Sequence, residues 1–390
     1  MPVISIIPRL PPAIDGVGDY ALNLALQLRK DFGIETHFLV GDPTWTGAKQ
    51  IEGFQIAQVK SCFASSLLSL LPSDRQHPTP VLLHYVNYGY AKRGCPVWLV
   101  DGLQRWQATS VNRFLVTMFH EIYASGPPWA SSFWLSPLQR NLATRLAQIS
   151  DRCLTSTQDY AKLLYELSLG KQTQIPTLPV FSNIGEPEQV PPLAERHRRV
   201  VVFGSPSNRL RVYRESLAEL DLTCQLLGIE EIWDVGPSAS LTLSTVNGVP
   251  IVKLGSRSAV EISNFLLNSL VGFFDYPSNY LAKSTYLAKS TIFAAYGAHG
   301  VLPVSARCTI SVDGIEAGKH YWIPKSHTTG WKELVKLQAI ADKAHAWYQT
   351  HNLSVQAKTF AAVLAHKGHA ECVGEAGLKF KNGDSSSVYE

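Results

Sequence analysis

At 390 residues the chain exceeds what one hydrophobic core ordinarily organises, so two domains are expected. A hydrophobic share of 45% against 17% charged residues excludes an extensively disordered chain, and a net charge of +4 spread along the sequence, with only short basic clusters at RHRR (196–199) and RLRVYR (209–214), suits an anionic small ligand or a membrane surface better than nucleic acid. The six cysteines (62, 95, 153, 224, 308 and 372) form no CxxC pair, which excludes the common zinc and disulfide frameworks and leaves free thiols in a reducing compartment.

The amino terminus, MPVISIIPRLPP, shows neither a basic leader region nor a small-residue cleavage site, and no apolar run reaches the roughly 18 residues of a membrane span. A cytoplasmic location is expected. FASSLLSLL (63–71) leaves open a peripheral contact with the inner membrane face, a buried helix being the alternative reading.

VISII (3–7) reads as a buried strand, and DYALNLALQLRKDFG (19–33) as a helix that places Leu22, Ala25 and Leu26 on one face and stops at Gly33. THFLV (36–40), VLLHYV (81–86) and FLVTMF (114–119) read as further strands, separated by helical stretches such as PVWLVDGLQRWQAT. A helix over PLQRNLATRLAQIS, a short strand at CLTS (153–156) and a helix at DYAKLLYEL continue the alternation. Such alternation predicts a parallel, doubly wound sheet.

At 185–199, GEPEQVPPLAERHRR breaks the pattern as a linker does, with three prolines and a charge cluster. VVVFGS (200–205), a helix near 212–227, EIWDVG, PIVKLG, a helix at SAVEISNFLLNS, LVGFFDY and VLPVS (301–305) then repeat the rhythm. The fold class expected is α/β, with two Rossmann-like doubly wound domains, 1–190 and 198–345, facing a cleft. A helix over 346–365 and a loose tail over 366–390 follow. Ligands of such sheets bind at the carboxyl ends of the strands, so the cleft is the expected site.

Four stretches carry candidate chemistry. In PRLPPAIDGVGDYA, Gly16 and Gly18 precede a helix whose free amides suit a phosphate, although glycines serving only a tight turn give the same pattern. The loop is too long, and lacks the third glycine, for a dinucleotide fingerprint. FLVTMFHEIY ends a buried strand in His120 and Glu121, and ASGPPWASSFWLSP offers Trp129 and Trp134 for stacking on a sugar or for packing. FGSPSNRLRVYR places Arg209 and Arg211 after the first strand of the second half, where a guanidinium suits a pyrophosphate or simply solvent. Finally, YLAKSTYLAKST (280–291) repeats six residues. Its second copy sets Lys289, Ser290 and Thr291 at the start of the helix TIFAAYGAHG, where amides, hydroxyls and a lysine suit a phosphate. Six α-helical residues turn through about 600°, so the two copies would not share a face; the first, with Lys283, reads as inserted length.

The order strand, long loop and GVGDYALNLALQL, followed by the four stretches above, resembles the two-Rossmann (GT-B) glycosyltransferases, in particular the large retaining GT4-like group. The resemblance implies transfer of a sugar from a nucleotide-diphosphate sugar to a hydroxyl acceptor, with retention and with neither a metal nor another cofactor. It implies that His120 and Glu121 are the catalytic pair, and that Gly16, Gly18, Arg209, Arg211, Lys289, Ser290 and Thr291 bind the donor diphosphate. Asp19 and Trp129 would contact the acceptor or the sugar. The implied partners are a sugar nucleotide and a saccharide or lipid-linked acceptor, without nucleic acid. The helix around HAWYQTHNLSVQAKTFAAVL resembles the group's C-terminal helix, which crosses back onto the first domain. One departure stands out: anchored on Gly300, the two glutamates of the group's E-x-F-G-x-x-x-x-E motif fall at Leu287 and Ala295. Their loss leaves a second reading open, a GT-B scaffold that binds a sugar nucleotide or a partner enzyme without catalysis.

Overall fold

A computed structural model describes residues 1–73, 79–276, 284–307, 314–325 and 334–365. The first sheet draws on β1 (Pro2–Ile7), β2 (Glu35–Val40), β3 (Gln50–Ile51), β4 (Phe54–Gln58), β5 (Val81–Tyr85), β6 (Leu115–Phe119) and β7 (Arg152–Thr155), in the order β3-β4-β2-β1-β5-β6-β7. Only the short β3 pairs antiparallel. The second sheet runs β10-β11-β9-β8-β12-β13 and is built from β8 (His197–Phe203), β9 (Glu231–Val235), β10 (Thr245–Val246), β11 (Val249–Gly255), β12 (Ser269–Phe274) and β13 (Leu302–Ser305). In each sheet the strand order reverses beside its first strand, at β1/β5 and at β8/β12. That reversal opens a crevice at the carboxyl ends, because successive crossover helices leave on opposite faces.

The first helix, α1 (Gly16–Phe32), shows how the sequence positions this crevice. Its buried stripe is Ala21, Leu24, Ala25 and Leu28, with Leu22 and Leu26 half-buried at the flank; the stripe is rotated from the expected face. Gly18 sits where the helix crosses the end of β1, so close that a Cβ would lie 2.1 Å from the Arg9 carbonyl oxygen. Glycine is therefore needed there for packing.

Further along, after β5 comes the short α3 (Asn87–Tyr90), and α2 (Ala64–Leu68) buries Leu67 against α4 (Val97–Gln107), with Leu71 in the same core. FASSLLSLL thus turns Leu67 and Leu71 inward and leaves Phe63, Ser65 and Ser69 exposed. Among the described residues no helix is long and apolar enough to cross a membrane. α5 (Ser131–Ile149) begins six residues before the predicted start and carries Pro137 inside it. The added stretch, about one and a half turns, is helical even though Pro137, the seventh helical residue, cannot donate to the carbonyl of Phe133. α6 (Gln158–Leu167) completes the first half.

In the second half, the single helix expected near 212–227 is two: α7 (Pro206–Glu215) and α8 (Leu217–Leu227), broken at Ser216. α9 (Ala259–Leu267) opens with a capping box between Ser258 and Glu261. α10 (Thr291–Ala298) is buried on every side from Ile292 to Ala298, and the Tyr296 hydroxyl donates to the carbonyls of Val201 and Phe273 at 3.1 Å each. The chain then returns through α11 (Leu334–Gln349), packed on α10, to α12 (Leu353–Leu364), packed on α1. Phe360 and Leu364 enter the core of the first half, and the Tyr20 hydroxyl donates to Gln356 Oε1 at 2.6 Å.

The basic clusters at 196–199 and 209–214, read as suited to an anionic ligand or a membrane surface, are partly structural. Arg196 is buried and donates to the carbonyls of Pro191, Leu266, Ser269 and His299, while Arg199 pairs with Glu231 at 2.5 Å and lies over the Trp233 ring. The described cysteines, 62, 95, 153 and 224, are free thiols.

Candidate active site

At the β1/β5 switch point lies a cleft of about 470 Å³. The loop after β1 contributes Arg9, Asp15 and Gly16, the segment after β5 contributes Tyr88, and the end of β6 contributes His120 and Glu121. Lys289 and Thr291 enter from the second half, so the cleft is shared between the two sheets' territories.

The loop does less for an anion than its glycines promise. Asp15 is the N-cap of α1, accepting from the amides of Val17 at 3.0 Å and Gly18 at 3.2 Å, and it is paired with Arg9 Nε at 3.2 Å. A carboxylate thus already fills most of the anion site that a helix N-terminus offers. Gly16 remains open to the cleft, with nothing within 4 Å of a Cβ position. Gly18 is buried and does not line the cleft, which corrects its assignment to the diphosphate. Asp19, the fourth residue of the helix, is half-buried and also outside the cleft wall; burial first, then Asp15, raises its carboxyl to about 6.

His120 is 8% exposed and stacks on His84 of β5, the rings 5.4 Å apart and 20° from parallel. Tyr20 packs edge-on against His120 at 4.9 Å. Burial, then His84, then Lys289 hold the His120 imidazole well below its usual range, so it is neutral. Lys289 Nζ donates to the Tyr160 hydroxyl of α6 at 3.2 Å and lies 4.6 Å from that ring's centroid, which carries its positive charge across to the first half.

Ser290 is a true N-cap of α10: its hydroxyl accepts from the Phe293 amide at 2.9 Å and shares a 2.5 Å hydrogen bond with the Tyr276 hydroxyl. With both partners in place, that hydroxyl is committed internally. Residues Ser284–Lys289 form a 3-10 helix, not an extension of α10, so the rotation argument that separated the two repeats does not hold. Residues 280–283, including Lys283, lie outside the described residues.

Arg209 is the clearest correction. It is 2% exposed, and its guanidinium is taken up by Asp234, the Pro237 carbonyl and, at 3.1 Å, the Gly204 carbonyl. Arg211 pairs with Glu215 on its own helix and does not line the cleft. Trp129 is 87% exposed and stands off the cleft, whereas Trp134 borders a separate hollow of about 810 Å³ with Tyr123, Phe133 and Arg140. The positions where the resemblance would place glutamates, Leu287 and Ala295, are buried in an apolar cluster.

Gly16, His120, Glu121, Lys289 and Thr291 are therefore the residues that the structure gathers from those singled out in the sequence. Arg9, Asp15, Tyr88, Tyr160 and His84 join them without having been singled out in the sequence. Of these, Asp15 carried a visible signal, an N-cap type directly before the helix; the others are brought in only by tertiary packing. Among the described residues no three His, Cys, Asp or Glu side chains cluster as a metal site would.

No protein-family model and no curated protein matches the chain. Solved structures do, over nearly its whole length and at low identity. HepE from Anabaena in complex with UDP is 11% identical, with 94% of this chain and 100% of that one covered at a TM-score of 0.58. A 2.2 Å structure described as a putative UDP-N-acetylglucosamine 2-epimerase from Listeria monocytogenes is 14% identical, with 95% and 96% covered at 0.56. An α-glucosyltransferase in complex with UDP-glucose and DNA containing an abasic site is 11% identical, with 93% and 98% covered at 0.54. The shared architecture is the GT-B fold, two doubly wound sheets with a cleft.

Proposed function

We propose that this GT-B chain is a glycosyltransferase that moves a sugar from a nucleoside diphosphate sugar to a hydroxyl of a saccharide or lipid-linked acceptor. The observation that carries the reading is the shared cleft, in which the β1/β5 crevice is closed by Lys289 and Thr291 from the second half. Departure of a nucleoside diphosphate places negative charge on its oxygens, and preorganised cations are the most effective stabilisers of such charge. Lys289 supplies a full charge there, Arg9 a second that it shares with Asp15, and the Thr291 hydroxyl at the first turn of α10 adds a donor. His120 and Glu121 line the same cleft, where they would contact the transferred sugar. Retention at the sugar carbon and independence of metal follow the pattern of the group the sequence resembles. A cytoplasmic location, where sugar nucleotides are made, belongs to the same reading, with a saccharide rather than DNA as acceptor because the buried basic residues are not available to a phosphate backbone.

A second reading, a scaffold that binds a sugar nucleotide without transferring it, is favoured by one observation: apolar core residues Leu287 and Ala295 stand in place of the two glutamates. Titration with UDP-sugars, followed by assay for release of free UDP with a panel of saccharide acceptors, separates the two. Binding with release supports the transferase, binding without release supports the scaffold, and no binding contradicts both.

A further inference from the structure

His84 is buried, 1% exposed, and took no part in the reading of the sequence. It lies in β5 beside Met118 of β6, which carries His120 two residues further along. Its Nδ1 is 3.1 Å from His120 Nε2. Its Nε2 is buried with no hydrogen-bond partner among the described residues. Tyr20, which packs against both rings, has its hydroxyl committed to Gln356.

Two neutral imidazoles joined by one hydrogen bond share a single proton between them, and either ring can supply it. If His120 donated, the proton of His84 would sit on Nε2, a buried N–H without an acceptor, which is the costlier kind of orphan. If His84 donates from Nδ1, its Nε2 is a bare acceptor, a cheaper vacancy, and His120 must carry its own proton on Nδ1. That nitrogen has no partner among the described residues, and the exposed part of His120 faces the cleft.

We propose that His84 is a positioning residue: its Nδ1–H donates to Nε2 of His120 and fixes His120 as the tautomer that presents an Nδ1–H to the cleft. His120 is then a hydrogen-bond donor to a ligand oxygen and has no free lone pair with which to take a proton from an acceptor hydroxyl, so it does not act as a general base. The identity of that oxygen, on a sugar or a diphosphate, rests on the transferase reading; the tautomer does not.

Long-range proton–nitrogen correlation spectra of the ligand-free protein labelled at histidine nitrogen read the tautomer directly, with His120→Gln assigning its signals. The expected result is an Nδ1–H tautomer for both His84 and His120. In His84→Phe, which keeps a stacked ring but removes the donor, His120 should become a mixture of tautomers. In His84→Asn, whose amide places an N–H near the same point, the Nδ1–H form should return. A purely structural His84 would shift thermal stability in both variants and leave the tautomer of His120 alone. An Nε2–H form in the wild type, or an unchanged tautomer in His84→Phe, overturns the proposal. A UDP titration on the same samples reads the transferase proposal separately: its failure there would leave a fixed tautomer standing.

Discussion

Replacing Arg209 by methionine tests whether that side chain holds the fold or the ligand. Methionine keeps much of the volume, so the perturbation is loss of the guanidinium. The structure fixes the consequence: Asp234, 5% exposed, loses its ion-pair partner, and the carbonyls of Gly204 and Pro237 lose a donor. Burial already pushes the Asp234 carboxyl up, with Arg209 the largest force holding it down. Breaking one side of a buried pair costs about 3–5 kcal/mol, because the remaining charge is left uncompensated. Adding Asp234→Asn removes that charge, so the double variant should be more stable than Arg209→Met alone, with a coupling of about 1–3 kcal/mol. Urea unfolding followed by tryptophan fluorescence measures this; Trp233 neighbours Asp234 in β9. UDP affinity of the folded Arg209→Met protein should match the wild type, since the guanidinium does not reach the cleft. A loss of stability below about 1 kcal/mol together with a fall of about tenfold or more in affinity would refute the reasoning.

Other expectations follow from the same geometry. Lys289→Ala should weaken UDP binding by about 1–3 kcal/mol, the worth of a charge-assisted contact, and change stability little, as calorimetry and thermal melts would show. An unchanged affinity would remove Lys289 from the site. Gly18→Ala drives a methyl to 2.1 Å from the Arg9 carbonyl and should cost about 1–3 kcal/mol, whereas Gly16→Ala meets nothing within 4 Å and should stay within about 0.5 kcal/mol of wild type. Chemical unfolding of the pair checks the contrast. Burial lowers His84 from 6.5 to about 3, so below pH 6.5 the unfolded chain takes up a proton that the folded chain refuses. Stability is therefore present above pH 6.5 and lost as pH falls, by about 1.4 kcal/mol per unit for this group. His84→Phe should lose that slope between pH 6.5 and 5; an identical slope in variant and wild type would contradict the burial account.

The order of strands and helices was legible because β-branched runs and helical periodicity report directly on which residues face a core. The two-sheet arrangement followed from it. The stripe of α1 was misplaced because Leu22 and Leu26 look as apolar as Leu24 and Leu28; only the packing of α12 and of β1 on that helix decides between them. Residues at strand ends, His120 and Glu121, and at a helix start, Lys289 and Thr291, could be singled out in the sequence, and the structure places them along one cleft. It was not legible where a charge is spent internally. Nothing in FGSPSNRLRVYR announces that Arg209 turns inward to Asp234, a residue 25 positions away, while Arg211 stays on the surface with Glu215. Likewise, Ser290 looks equally fit to cap a helix or to meet a phosphate, and the Tyr276 hydroxyl settles where its hydrogen bonds go.

Calorimetric titration of the purified chain with UDP, GDP and ADP tests the central claim, that the shared cleft receives a nucleoside diphosphate. Saturable binding of at least one of them is expected, weakened in Lys289→Ala and retained in Arg209→Met. The absence of binding by all three at millimolar concentration, or a loss in Arg209→Met with none in Lys289→Ala, would contradict it.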